Sequence, residues 1–462
     1  MSTAAGGQPA RGLRLTWVQP EDLLPHELAA SADEGREVAA LAERWAAAGG
    51  DGTAPVSGAS PVPAPPALRA LAVELLDAAD ALPTPDPESE PGDLDAVRKS
   101  WPDAWQLPTT VERDRLHGAW LGRAAGCLLG KPVEKIPRHG IREILTATGR
   151  WPLRDWFTAQ GLPAEVAARW PWNRRSAPTS LAENIAGMPE DDDLNFPLLA
   201  LRILETRGPG FTSADVAQAW LDWLPAGRVF TAERVAYRNL LLGLTPPETA
   251  RRHNPFREWI GAQIRTDVYG WTNPGRPDRA AEAAWRDAAV SHVRAGAYGA
   301  IWAAALAAAA PVAGSVDEVL DAGESVLPPG SRFTAAIQEA RALGAGGDDW
   351  ENIVDTLYAR HGHLHWVHVR NNAALVAAAL AYGRGDLDRS ICAVVAGGWD
   401  TDSNGATVGA VTGALTGASR LPARWVAPLR NRLASSIAGF DGIGFDTLAD
   451  RTLALAHAGG VA

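Results

Sequence analysis

Cysteine is nearly missing: the 462 residues contain only Cys127 and Cys392, which excludes a disulfide framework. Residues Met1 to Leu13 hold no apolar run of the kind a secretory signal needs, so a cytoplasmic protein is expected. Positive charge is in deficit. A formal net charge of −11 argues against a general nucleic-acid binder, although frequent arginine leaves room for a local phosphate pocket. Long apolar runs are lacking too. The two uncharged stretches, 295–316 and 403–419, consist mainly of Ala, Gly and Thr. Pro311 breaks the first, and the second is shorter than the roughly 20 residues a bilayer core requires. Both read as buried helices of a bundle rather than as membrane spans.

Strong strand alternation is the last absence, and from about residue 112 onward the apolar spacing is helical. It predicts helices over 112–129, 194–206, 213–224, 280–291, 296–310, 371–382, 388–395 and 405–415, punctuated by Gly and Pro. The expected fold class is all-α. Residues 1–105 differ in texture. Pro- and Ala-rich linkers at 53–66 and 82–87 alternate with helical patterns at 28–48 and 67–81, the latter carrying Leu68, Leu71, Val73, Leu75 and Leu76. A helical accessory region over 1–105 and one catalytic domain over 106–462 are expected.

Two of the predicted helices carry glycine at every fourth position: Gly118, Gly122, Gly126 and Gly130, then Gly405, Gly409, Gly413 and Gly417. Each series lies on one helical face. Glycine costs about 1 kcal/mol per helical position relative to alanine, so such a face needs a reason, and close approach of two backbones supplies one. The pairing draws Glu134 and Asp400, near the ends of these helices, towards one centre.

Two oxygen-rich clusters, Glu190-Asp191-Asp192-Asp193 and Asp400-Thr401-Asp402-Ser403, lie far apart in the chain, each just before a predicted helix. Carboxylates at adjacent positions repel one another unless water or a cation intervenes. Acidic residues at a helix start are ordinary, because the helix dipole favours them there. The second cluster is less ordinary. It sits within Ala396-Gly397-Gly398-Trp399 and Asn404-Gly405, an apolar, glycine-rich setting where unpaired carboxylates are costly. Magnesium and manganese prefer carboxylate, hydroxyl and water oxygens, which makes Asp191, Asp192, Asp400, Asp402 and Ser403 candidate ligands. That many groups suit two ions about 4 Å apart.

These motifs resemble the ADP-ribosylglycohydrolase family. Arg115-Leu116-His117-Gly118-Ala119-Trp120-Leu121-Gly122, followed by Gly126-Cys127-Leu128-Leu129-Gly130-Lys131-Pro132-Val133-Glu134, is similar to an element in which the family shows Gly-Asp-Ala-Leu-Gly-x-Pro-x-Glu. The family's Thr-Asp-Asp-Thr falls on Glu190-Asp191-Asp192-Asp193, and its Gly-Gly-Asp-Thr-Asp-Thr falls on Gly398-Trp399-Asp400-Thr401-Asp402-Ser403. Asp287 to His292, with Gly296 and Tyr298, resembles a Ser-His segment before an alanine-rich helix. The similarity runs from about Asp114 to Gly417. Cys127 departs from the family's aspartate, Glu190 and Asp193 from its flanking threonines, and Ser403 from its last threonine; Glu, Asp and Ser still offer oxygen.

The resemblance implies an orthogonal multi-helix bundle whose central cleft holds two Mg²⁺ or Mn²⁺ ions, with Glu190, Asp191, Asp192, Asp400, Asp402 and Ser403 as ligands. It also implies hydrolysis of the glycosidic bond joining ADP-ribose to a protein side chain or small conjugate, by a monomeric enzyme. Glu134, Asp400 and Asp402 are then the acid–base candidates, since a carboxylate can shuttle the proton of an activated water and stabilise a cationic sugar. Two other readings are compatible: hydrolysis of another N-glycoside resembling a nucleoside, and an inactive relative kept for binding or structure. The retained carboxylates argue against the latter.

Substrate contacts are expected from His292 and Tyr298 in the Ser-His element, from Gly270 in the turn-rich stretch 267–275, and from His368 and Asn372. His361, His363, His365 and His368 tempt a transition-metal reading, but no cysteine or carboxylate accompanies them. A loop bordering the cleft, or a helix cap, is the expectation.

Overall fold

Backbone contact between the two glycine faces organises the molecule. In the computed structural model, which describes residues 13–56, 58–347 and 349–459, the helices Arg113–Gly130 and Thr401–Thr416 run antiparallel. Gly118 meets Gly413 and Gly417, Gly122 meets Gly409, Gly126 meets Gly405, and Gly130 meets Thr401. A Cβ added at Gly118, Gly122 or Gly126 would fall on the carbonyl oxygen of the glycine opposite. Alanine therefore cannot replace these residues without spreading the helices. The Thr401 hydroxyl donates to the Gly130 carbonyl at 2.9 Å, which pins the end of one helix to the start of the other.

Around this pair the remaining helices form a bundle, and no strand occurs among the described residues; three isolated bridges, such as Trp259 with His368, only pin loops. All eight helices expected beyond residue 112 form. The largest displacement is at Thr401–Thr416, which begins four residues before the expected Gly405. Further helices form at Arg138–Ala147, Thr231–Leu241, Arg332–Ala345, Trp350–His361 and Phe445–Gly459. The Thr231–Leu241 helix buries Glu233 and Asn239 beside Val235 and Ala236, so its core face does not read as apolar. Every residue of the Ala295–Ala309 helix is buried, and no helix among the described residues is long and apolar enough to cross a membrane.

The N-terminal pattern needs one correction. The run 28–48 is two helices, Pro20–Asp33 and Ala39–Ala47, because the chain turns at Gly35 with φ +81°; residues 1–12, read above for a signal, lie outside the described residues. The Pro20–Asp33 helix and its cap Glu34 are fastened to the body by buried ion pairs, while Pro66–Asp80 reaches the body through the partly exposed pair of Asp77 with Arg252. Arg257 meets Glu27 at 2.7 Å and Glu34 at 2.8 Å, Arg294 meets Glu34 at 2.9 Å, and Arg370 meets Asp33 at 2.9 Å.

Candidate metal centre

Asp191 is the N-cap of the Asp192–Arg207 helix, where its carboxylate accepts from the Asp193 amide at 2.9 Å, an ordinary capping role. The helix start then aims Asp192 and Asp193 at the junction of the two glycine helices. Asp400 stands at the N-cap position of the Thr401–Thr416 helix without a side-chain cap bond, behind Gly398 and Trp399, which both hold left-handed backbone at φ +85° and +56°. That turn is braced: Tyr358 stacks on Trp399 at 4.3 Å and donates to the Gly397 carbonyl at 3.1 Å. Asn372 completes the brace. Its side-chain oxygen accepts from the Asp400 amide at 3.1 Å and from Asn404 at 2.7 Å, and its amide donates to the carbonyls of Trp366 and His368.

The two acidic motifs meet. Ser403 Oγ donates to Asp193 Oδ2 at 3.3 Å, and the Ser403 amide to Asp402 at 3.1 Å. The carboxylates oppose one another's ionisation. Burial, then Asp402, pushes Asp400 well above the usual range, and burial, then Glu134 and Asp191, raises Asp402 to about 7. Asp192 and Asp193 are raised in the same way, by burial first and Asp191 next. Glu134 borders this group at the end of the first glycine helix, where Asn173 donates to its carboxylate and Lys135 approaches at 3.3 Å.

Two cations face the cluster, and neither was singled out from the sequence. Lys131 bonds Asp191; burial is the largest influence and disfavours the ammonium, but Asp191, Cys127 and Asp402 together raise its pKa above the usual value. Arg123 is fully buried, reaching Asp193 at 3.6 Å and Asp267 at 2.9 Å and donating to the Asp193 carbonyl at 2.9 Å. Its signal was available: a lone arginine amid Trp120, Leu121, Ala124 and Ala125 must find a buried partner.

The structure does not gather all the expected residues. Glu190 commits its carboxylate to Asn195 at 2.8 Å and Arg228 at 3.2 Å. His292 is buried on Ser291, sharing a hydrogen bond at 2.8 Å, and burial holds its pKa well below the usual value. Tyr298 is fully buried and donates to the Pro91 carbonyl at 2.6 Å, while Gly270 packs against the Ala304–Ala308 backbone. The stretch 267–275, expected as a loop, starts with a buried helix, Asp267–Trp271. His368 caps the Val369–Gly383 helix, its Nδ1 accepting from the Arg370 amide at 3.1 Å, and His365 stacks on Trp259 at 4.2 Å.

The tightest set of possible ligand atoms is Cys127, Asp191 and Asp193, all within 4.8 Å of one another. Burial, then Asp191 and Asp193, raises the Cys127 thiol well above its usual pKa, so it stays protonated and is a poor partner for a hard cation. Asp193 Oδ1 is buried with no hydrogen-bond partner. That oxygen has Arg123 opposite it at 3.6 Å, and buried carboxyls that raise one another's pKa are a donor set that fits a hard divalent cation.

The chain belongs to the ADP-ribosylglycohydrolase family, whose model matches residues 108–460. Membership points to hydrolysis of a glycosidic bond. A solved structure titled "ADP-ribosylglycohydrolase-related protein complex" is similar at 20% identity and a TM-score of 0.45, covering 75% of this chain and 98% of that one. Among curated proteins none matches.

Proposed function

We propose that the chain is a divalent-cation-dependent hydrolase that cleaves the bond between ADP-ribose and a protein side chain or small conjugate. The observation that carries this reading is the excess of buried carboxylate where the two motifs meet Glu134. Asp191, Asp192, Asp400 and Asp402, with Ser403 beside them, would hold two Mg²⁺ or Mn²⁺ ions. Such ions would supply Lewis-acid polarisation and a water of lowered pKa at these residues. Glu134, a partly exposed carboxylate oriented by Asn173, takes the proton of the attacking water. The carboxylates around it stabilise the positive charge that the sugar gains at the transition state.

His368 and Asn372 act on this site through position: both brace the turn that presents Asp400, with Asn372 bonding its amide directly. On this reading residues 106–462 carry the reaction, and 1–105 brace the body through Glu27, Asp33 and Glu34. ADP-ribose release from arginine-, serine- and nucleic-acid-linked substrates tests the proposal. Release dependent on Mg²⁺ or Mn²⁺ and lost in Asp400→Ala/Asp402→Ala supports it; equal release from that variant sinks it.

A further inference from the structure

A cleft of about 660 Å³ opens on the molecule, lined by none of the residues of the two acidic motifs. That volume suits a small organic ligand. One wall is a single face of the Leu387–Ala396 helix, with Asp388, Cys392 and Ala396 at four-residue spacing and Arg389 and Ala393 beside them. Trp151, Trp350 and Tyr382 form the aromatic part of the lining, the last two with ring centroids 5.0 Å apart.

The charges around the cleft are not equally committed. Glu351 accepts from Arg138 at 2.7 Å and Arg142 at 3.2 Å; Asp388 is taken by Arg424 and by the Trp425 indole; Asp386 accepts from the Arg389 amide at 2.8 Å. Against these engaged acids, Arg154 is exposed, and the Arg389 guanidinium lies over the Tyr382 ring at 4.0 Å with no carboxylate bonded to it. Trp350 is buried to 7% exposure and leaves its indole N–H without a partner. Asp349, also on the lining, offers an exposed carboxylate, while Arg154, Arg389 and the Trp350 indole supply donors beside aromatic faces. That combination recognises a planar ring joined to an anion, because the rings stack and a guanidinium chelates phosphate oxygens.

We propose that this cleft is a second ligand site, taking a nucleotide-class molecule with its base among Trp151, Trp350 and Tyr382 and its phosphate on Arg154 and Arg389. The site is joined to the carboxylate centre. The Leu387–Ala396 helix runs into Gly397, and Arg138, which holds Glu351 on the cleft wall, lies against Gly398 and over the Tyr358 ring. The occupied cleft therefore bears on the turn that presents Asp400.

Titration calorimetry of the full chain with AMP, adenosine and inorganic phosphate tests the proposal. AMP binds more tightly than adenosine or phosphate. Arg154→Ala/Arg389→Ala, two exposed positions whose loss leaves the fold intact by circular dichroism, weakens AMP about tenfold or more, the scale of a lost charge-assisted hydrogen bond. Asp400→Asn/Asp402→Asn keeps the AMP site. An AMP affinity unchanged in the arginine variant, lost in the aspartate variant, or matched by adenosine overturns the assignment, as does wild-type chain that binds no AMP.

Discussion

Where the N-terminal helices meet the body, Arg36, Arg257, Arg294, Arg332 and Arg370 face Glu27, Asp33, Glu34, Glu90 and Glu258; where the glycine helices meet, Asp191, Asp192, Asp193, Asp400 and Asp402 face Lys131 and Arg123, with Glu134 and Lys135 at the edge. Both groups are largely buried, yet their acids differ in direction, Glu258 excepted, which burial raises to about 7 against the pull of Arg294. Burial works against ionisation of Glu34, but Arg257 and Arg294 hold it down at about 2. At the acidic centre burial and like charge act together, and Asp192, Asp193, Asp400 and Asp402 all rise. The first cluster is complete as a fastening. The second carries carboxylate in excess, and this imbalance, more than burial itself, is what supports the proposed cation site.

Removing charge from each cluster separates them most clearly. Asp400→Ala/Asp402→Ala is expected to lower ADP-ribose release about a thousandfold or more, the scale of lost acid–base and electrostatic groups. Its melting temperature in the absence of divalent ions should hold or rise as repulsion is relieved. A sharp fall in melting would show that the centre, too, is a fastening. Arg257→Ala leaves Glu27 and Glu34 buried without their main partner and should cost about 3–5 kcal/mol in urea unfolding. Mg²⁺ affinity of the protein that remains folded should not change.

Gly409→Ala drives a methyl group into the Gly122 carbonyl. A loss of about 1–3 kcal/mol is expected, with weaker Mg²⁺ binding by calorimetry because the helix ends spread. Stability intact with Mg²⁺ binding intact would mean that the glycine contact does not set the site. The pH response is smaller. Asp402 rises from 3.8 to about 7 on folding, so between those values the folded state holds the extra proton, and stability falls as pH rises through the window. Melting curves without divalent ions should drop between about pH 4 and pH 7, and saturating Mg²⁺ should flatten the drop. The smallest effect is His368→Ala, a lost helix cap of about 1 kcal/mol by chemical denaturation.

Much of this arrangement was legible before folding. Glycine at every fourth position fixes which faces touch, and carboxylates in an apolar stretch announce a need for compensation. Glu190 shows the limit: it belongs to the acidic motif by position, but Arg228 and Asn195 take its carboxylate. His292 and Tyr298 carry the family pattern and Gly270 sits in a turn-rich stretch, yet their partners are Ser291, Pro91 and the Ala304–Ala308 backbone. Spacing specifies the face of a helix; it does not specify which neighbour fills the space opposite. The break at Gly35 escaped for a related reason, since apolar spacing continues on both sides of a turn whose φ alone ends the helix.

By itself the sequence determined the helical class, the glycine contact and the two acidic motifs, because each depends on local periodicity or on residue chemistry that holds in any packing. Only the tertiary structure decided that Lys131 and Arg123 are the cations facing the carboxylates, that Asn372 braces Asp400, and that the N-terminal acids are balanced one against another by arginines of the body. Those are pairings between segments distant in the chain. Coulomb and hydrogen-bond energies depend on distance and burial, and both are set when helices pack.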